Sequence, residues 1–118
     1  MSVPDQEIII KQNGNNSSFK TEEEEEIGLI SWHTFPGGKV LEVHNIYVTV
    51  KFQRKGYGTK LFYEMLKKYP SYKSVYLHTI ATNIEAIHFY LDIGFERAFK
   101  VDDLYGKNQN AIFLVKKI

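Results

Sequence analysis

The feature that most constrains the fold is a change of hydrophobic period near Val50. Before it, residues 27–35 read as a strand, Pro36-Gly37-Gly38-Lys39 supplies a tight turn, and residues 40–48 alternate well enough to be the returning partner. That alternation puts Glu42, His44 and Ile46 on one face. After it, Leu61, Phe62, Met65, Leu66 and Tyr69 recur at helical spacing, and Pro70 stands just past the end. A hairpin feeding an amphipathic helix calls for a sheet with a helix packed on it, so the class is α/β.

The flanking segments extend the pattern. Residues 7–12 read as a strand around the β-branched run Ile8-Ile9-Ile10, Asn13-Gly14-Asn15-Asn16 is turn chemistry, and a weak strand from Ser17 leads into an acidic run. Residues 74–80 form a short apolar strand. Ile84, Ile87 and Leu91 mark a second helix, opened by Thr82 or Asn83 and closed by Gly94. Strands over 95–101 and 111–117, joined by a polar loop, complete one mixed sheet. With 118 residues, a single domain over 1–118 is expected.

Composition removes several function classes. There is no cysteine, so no disulfide, cysteine zinc site or thiol nucleophile, and the four histidines are not spaced for a metal. The net charge of +1 is zoned: residues 1–27 hold two lysines against seven acids, and the remainder thirteen cations against seven. A nucleic-acid binder would carry a larger positive excess, so no nucleic-acid partner is expected, and the basic side suits a small polyanion near Arg54 and Lys55. Glu22 to Glu26 are expected to be a solvated strand edge or turn. No apolar run approaches the roughly 20 residues needed to cross a bilayer, and residues 1–7 lack a basic segment ahead of an apolar one, so a cytoplasmic protein without a membrane partner is expected.

The segment Gln53-Arg54-Lys55-Gly56-Tyr57-Gly58-Thr59 joins strand to helix with two glycines and two cations. Glycines admit close approach to the backbone, first-turn N–H groups point outward, and the helix dipole favours an anion, so a phosphate ligand is the first expectation. The same turn can merely close a strand–helix connection. The dinucleotide fingerprint fails because Leu61 stands where its third glycine belongs, and the triphosphate loop fails because Gly58-Thr59-Lys60 has the wrong order.

The Gln-x-x-Gly-x-Gly turn after a hairpin, followed by Thr82-Asn83-Ile84-Glu85-Ala86-Ile87-His88-Phe89-Tyr90-Leu91-Asp92-Ile93-Gly94-Phe95-Glu96, resembles the GNAT superfamily of acetyl-CoA-dependent N-acetyltransferases over residues 27–118. The resemblance implies a mixed, mostly antiparallel sheet flanked by two helices. It implies acetyl-CoA as cosubstrate without a metal, held by residues 53–59 (Gln53, Arg54, Lys55, Gly56, Tyr57, Gly58 and Thr59) and by Asn83. It places the pantetheine arm and an oxyanion donor along the backbone of Ile46, Tyr47 and Val48. Tyr90, two helical turns from Asn83, resembles the tyrosine that protonates the leaving thiolate; simple helix–sheet packing would equally account for it.

Two echoes differ in the base they imply. Glu42, eleven residues before Gln53, is similar to the strand glutamate of histone lysine acetyltransferases. Tyr76-Leu77-His78 with the Asn83 helix resembles protein N-terminal and ribosomal-protein acetyltransferases, which makes His78 the second candidate. A lysine-paired strand glutamate and a buried strand histidine are the plainer readings of the two. His44 shares the Glu42 face and is a candidate relay, whereas His33 and His88 have only surface position to recommend them.

The chain departs from the family at its start, where about ten turn-like residues leave no room for the usual pair of helices between the first two strands. That pair is expected to be absent, leaving Trp32, Phe35 and Tyr47 poorly covered. Either a homodimer walls the acceptor side, the first expectation, or a monomer presents a broad cleft. The expected reaction moves acetyl from acetyl-CoA to a primary amine of a peptide or small molecule. A non-catalytic acyl-CoA-binding or regulatory module is the alternative.

Overall fold

The computed structural model describes residues 8–118, so the expected strand start at Glu7 and the reading of residues 1–7 lie outside the described residues. Seven strands and two α-helices follow in the order β1 (Ile9–Asn13), β2 (Asn16–Lys20), β3 (Glu26–Thr34), β4 (Val40–Val48), α1 (Tyr57–Leu66), β5 (Ser74–Ile80), α2 (Ile84–Asp92), β6 (Glu96–Val101) and β7 (Ala111–Lys117). The strands form one mixed, mostly antiparallel sheet in the order β1-β2-β3-β4-β5-β7-β6. Among the described residues β1 turns directly into β2, with Asn13 opposite Asn16, where the family's helix pair was expected to be missing. The chain divides into two compact units, residues 8–33 with 43–71 and residues 34–42 with 72–118.

In the first unit, β2 pairs antiparallel with β3, with a register shift between Phe19 and Lys20. Phe19, Ile27, Ile30, Val43, Phe52, Leu61, Phe62 and Met65 are buried. On α1 the buried positions are 57, 61, 62 and 65, one stripe of a 3.6-residue period. The helix ends at Leu66 and tightens into single turns, Lys68 N–H to the Met65 carbonyl at 3.1 Å and Tyr69 N–H to the Leu66 carbonyl at 3.0 Å, ahead of Pro70, which disfavours helix at the residue before it. Tyr69 is still used: its hydroxyl accepts the Trp32 indole N–H at 2.6 Å. Trp32 is only 3% exposed, which corrects the expectation of a poorly covered ring. It shares strand parity with buried Ile30 and points inward with it. Phe35 and Tyr47 are exposed, as expected.

Gly28 is required by close packing. A Cβ there would lie 2.6 Å from the Tyr47 carbonyl oxygen and 3.0 Å from Leu61 Cδ1. Glu22 to Glu25 form an exposed turn between β2 and β3, and Glu26, half-buried, opens β3. Lys11 pairs with Glu24 at 2.7 Å and Lys51 with Glu25 at 3.1 Å. The Lys11 hydrogen bond and charge hold the Glu24 carboxyl below its ordinary range.

In the second unit, the start of β4 runs parallel to β5, with Val40, Leu41 and Glu42 in register with Ser74, Val75 and Tyr76. β7 pairs antiparallel with both β5 and β6. Leu41, Val75, Leu77, Ile87, Phe95, Ala111 and Leu114 are buried. The alternation that buries Leu41, Val75 and Leu77 turns Glu42, Tyr76 and His78 to the opposite face.

Candidate active site

The loop at the head of α1 is built by a turn of 3-10 helix, Val50–Phe52, which the sequence pattern did not reveal. Gln53 folds back, its side-chain amide donating to the Val48 carbonyl at 2.9 Å. Arg54 takes φ 63° and Gly56, the residue capping α1, takes φ 87°, a conformation a glycine adopts without steric cost. The first intrahelical bond runs from Lys60 N–H to the Gly56 carbonyl at 3.1 Å, so the N–H groups of Tyr57, Gly58 and Thr59 have no partner within the helix. No side chain caps them and no acid stands in the first turn. Gln53, Arg54, Lys55 and Gly56 are exposed, and Gly58 and Thr59 half-buried.

Tyr57 differs from its neighbours. It is 1% exposed, edge-on to Phe52 at 6.1 Å, and its buried hydroxyl has no hydrogen-bond partner. What it can offer a ligand is therefore its backbone N–H. Ile46 and Val48 are half-buried and Tyr47 exposed. Burial, and then a hydrogen bond to Glu26, raises the Tyr47 phenol. His44 stacks on His33 at 5.6 Å with the rings almost parallel.

The second unit brings Glu42 and His78 together. Glu42 Oε2 lies 3.7 Å from His78 Nε2, and their side chains are 15% and 32% exposed. Burial first, and then the charge and hydrogen bonding of Glu42, push the Tyr76 phenol up. On the other side of the imidazole, Nδ1 lies 2.6 Å from the Tyr105 hydroxyl. The His78 ring also rests against Phe113 at 4.8 Å, its register partner on β7. A row of nearly parallel rings, Phe35, Tyr76, Phe113 and Phe99, runs past the pair with centroids 6.2, 6.5 and 4.6 Å apart.

Asn83, rather than Thr82, caps α2, its Oδ1 accepting the Ala86 N–H at 3.2 Å. Tyr90 is half-buried on α2, edge-on to Phe95 at 5.6 Å. Burial, and to a lesser degree Tyr105, push its phenol up to about 12. His88 is exposed. Among the described residues no cluster of three acids or histidines stands ready for a metal.

Tyr76 entered the sequence reading only as part of the Tyr76-Leu77-His78 stretch, with no role of its own, and Tyr105 did not enter it. The alternation of Tyr76 with His78 was a usable signal. Tyr105 lies 27 residues from its partner, and only the turn residues around it set it apart.

The mixed sheet and the two helices packed on it define a known class of protein. The acetyltransferase (GNAT) family profile matches residues 4–95, and the chain belongs to that family. Among solved structures, the chain is similar to Ard1 from Thermoplasma volcanium, with TM-score 0.79, 22% identity, and coverage of 88% of this chain and 70% of that one. It is also similar to a GNAT family acetyltransferase from Elizabethkingia anophelis with acetyl-CoA bound, with TM-score 0.76, 16% identity, and coverage of 98% and 99%. A third is the ribosomal-protein-S18-alanine N-acetyltransferase from Escherichia coli, with TM-score 0.74, 20% identity, and coverage of 91% and 72%. At these identities the likeness is one of fold. No curated protein matches the chain by sequence.

Proposed function

We propose that the chain is an N-acetyltransferase that moves the acetyl group of acetyl-CoA to a primary amine by direct attack within a ternary complex. The observation that carries this reading is the carboxylate–imidazole pair, Glu42 and His78 at 3.7 Å, in a chain of the GNAT family. An alkylamine with pKa about 10.4 opposes deprotonation at pH 7 by roughly 4 to 5 kcal/mol, so a proton acceptor beside the nucleophile is the chemistry most needed.

Residues 53–59 suit the pyrophosphate of acetyl-CoA. The N–H groups of Tyr57, Gly58 and Thr59 and the helix dipole favour an anion, and Arg54 and Lys55 add charge. By family resemblance, Ile46, Tyr47 and Val48 are assigned to the pantetheine arm and the thioester oxygen, and Asn83 to the cosubstrate. The Glu42–His78 pair takes one proton from the ammonium. The neutral nitrogen then attacks the thioester carbonyl carbon, negative charge builds on its oxygen, and collapse breaks the C–S bond. An amide and the CoA thiol result, with the remaining amine proton passing to sulfur or solvent. Tyr90 donates a hydrogen bond to the departing sulfur.

The acceptor is assigned as a peptide N-terminus, lysine, polyamine or small amine. Two structural neighbours are named for ribosomal-protein alanine and for spermidine/spermine, so an alanine-initiated peptide and spermidine belong in the test panel. A homodimer is proposed as the working form. The test is release of free thiol from acetyl-CoA across peptide N-termini, lysine peptides, polyamines and small amines. Turnover with at least one amine, lost on combining Glu42→Gln with His78→Ala, is expected. Tight acetyl-CoA binding without turnover on any of them would favour the non-catalytic module, a reading suggested by the hairpin where acceptor-shaping helices usually stand.

A further inference from the structure

We propose that Tyr105 is a positioning residue: its hydroxyl donates to Nδ1 of His78 and holds the imidazole in the tautomer that carries its proton on Nε2, facing Glu42. The inference rests on the assignment of Glu42 and His78 as the proton-accepting pair.

Geometry sets the bond. The Tyr105 hydroxyl and His78 Nδ1 are 2.6 Å apart, and the two rings meet at 5.7 Å with a tilt of 48°. Its direction follows from the other ring nitrogen. A neutral imidazole carries one N–H, and the Glu42 carboxylate 3.7 Å from Nε2 favours that proton there, which leaves Nδ1 as an acceptor. Burial raises the Tyr105 phenol, so the hydroxyl keeps the proton it must donate.

The loop that delivers Tyr105 is built to hold it. Asp103 Oδ1 accepts the Asn108 N–H at 2.7 Å, and the Asp103 N–H donates to Asn110 Oδ1 at 3.0 Å. The Tyr105 N–H donates to the Gln109 carbonyl at 3.1 Å, and the Gln109 N–H to the Gly106 carbonyl at 2.9 Å. Asp103, Gly106 and Asn108 all take positive φ, at 58°, 136° and 62°. Non-glycine residues pay for that conformation, and the network of local bonds offsets the cost. With Phe113 against its face, the imidazole is fixed from three sides.

The consequence divides labour within the pair. An imidazole that already carries its proton on Nε2 has no lone pair there to accept another, so the carboxylate 3.7 Å away accepts the amine proton and the imidazole N–H stands beside it.

The test is a long-range proton–nitrogen correlation spectrum of the nitrogen-labelled chain at about pH 8, where an ordinary imidazole is neutral. His78→Asn identifies the resonance, and Tyr105→Phe removes only an oxygen from a partly exposed ring. The expected result is the Nε2–H tautomer in the parent chain and a mixture in Tyr105→Phe. A kcat lower by about five- to tenfold, the order expected for one neutral hydrogen bond, should accompany it at unchanged acetyl-CoA affinity. A proton on Nδ1 in the parent, or an unchanged tautomer in Tyr105→Phe, would overturn the inference whatever turnover does. A shifted tautomer with undiminished kcat would overturn the positioning role. The spectrum needs no acceptor, so failure of the parent to acetylate any amine would count against the acetyltransferase reading alone.

Discussion

Replacing Tyr90 by Phe separates two roles that a tyrosine near a leaving thiolate can play. Burial pushes this phenol up to about 12, whereas an alkyl thiol titrates near 8.5. Full transfer of the phenolic proton to sulfur would run uphill by about 3.5 pH units, or roughly 5 kcal/mol. A hydrogen bond to the developing thiolate carries no such cost and is worth about 1.5 to 3 kcal/mol. Tyr90→Phe should therefore lower kcat by roughly 10- to 150-fold. It should leave the shape of the kcat–pH profile between about pH 7 and 10 unchanged, because a group titrating near 12 does not ionise there. The assay is thiol release at saturating acetyl-CoA across that range for both proteins. A basic limb below about pH 10 that disappears in Tyr90→Phe would show the phenol titrating as an acid in the reaction and would refute the argument.

Gly56→Glu should abolish the rise in Tm that acetyl-CoA produces, since a residue with φ 87° would gain a side chain and a negative charge at the helix terminus proposed for the pyrophosphate. Unchanged acetyl-CoA affinity in a folded variant, measured by calorimetry, would count against that site. Gly28→Ala should destabilise the chain by about 1 to 3 kcal/mol, read in urea, because the new methyl would meet a backbone carbonyl at 2.6 Å; an unaltered midpoint would contradict the close packing there. Tyr90 should also tie stability to alkaline pH. Its folded pKa lies above the ordinary 10, so its contribution, at most about 3 kcal/mol, is complete below pH 10 and is lost as pH rises to about 12. Urea midpoints across that window should fall less steeply in Tyr90→Phe than in the parent. Sedimentation at micromolar concentration should show a homodimer; a strict monomer selective for one compact small amine would contradict both the dimer and the broad-cleft expectation.

What was legible in the sequence is what local rules control. The strands at 40–48, 74–80 and 111–117 end where alternation and flanking turn residues place them, and Asn83 caps α2 through its own side chain. The Glu42 face followed from a period of two, which is insensitive to tertiary context. Trp32 was misplaced because its cover was inferred from missing helices, whereas strand parity and the Tyr69 hydroxyl, 37 residues away, decide its burial. Tyr57 reads as part of a phosphate loop, yet at the first position of α1 its side chain falls on the buried stripe with Leu61 and Met65. The approach of Tyr105 to His78 depends on strand pairing across β7 and on a loop with three positive φ values, none of which is a local property of either residue.

The central claim is tested most directly by mass spectrometry of an amine panel incubated with acetyl-CoA, with free CoA quantified in the same samples. N-acetylated product equal in amount to the CoA released is expected, with a greater loss of rate in Glu42→Gln than in Tyr90→Phe, since amine deprotonation at pH 7 is opposed by roughly 4 to 5 kcal/mol and the hydrogen bond to the departing sulfur is worth about 1.5 to 3 kcal/mol. Release of CoA without any acetylated amine, or product formed at the parent rate by the chain carrying both Glu42→Gln and His78→Ala, would contradict it.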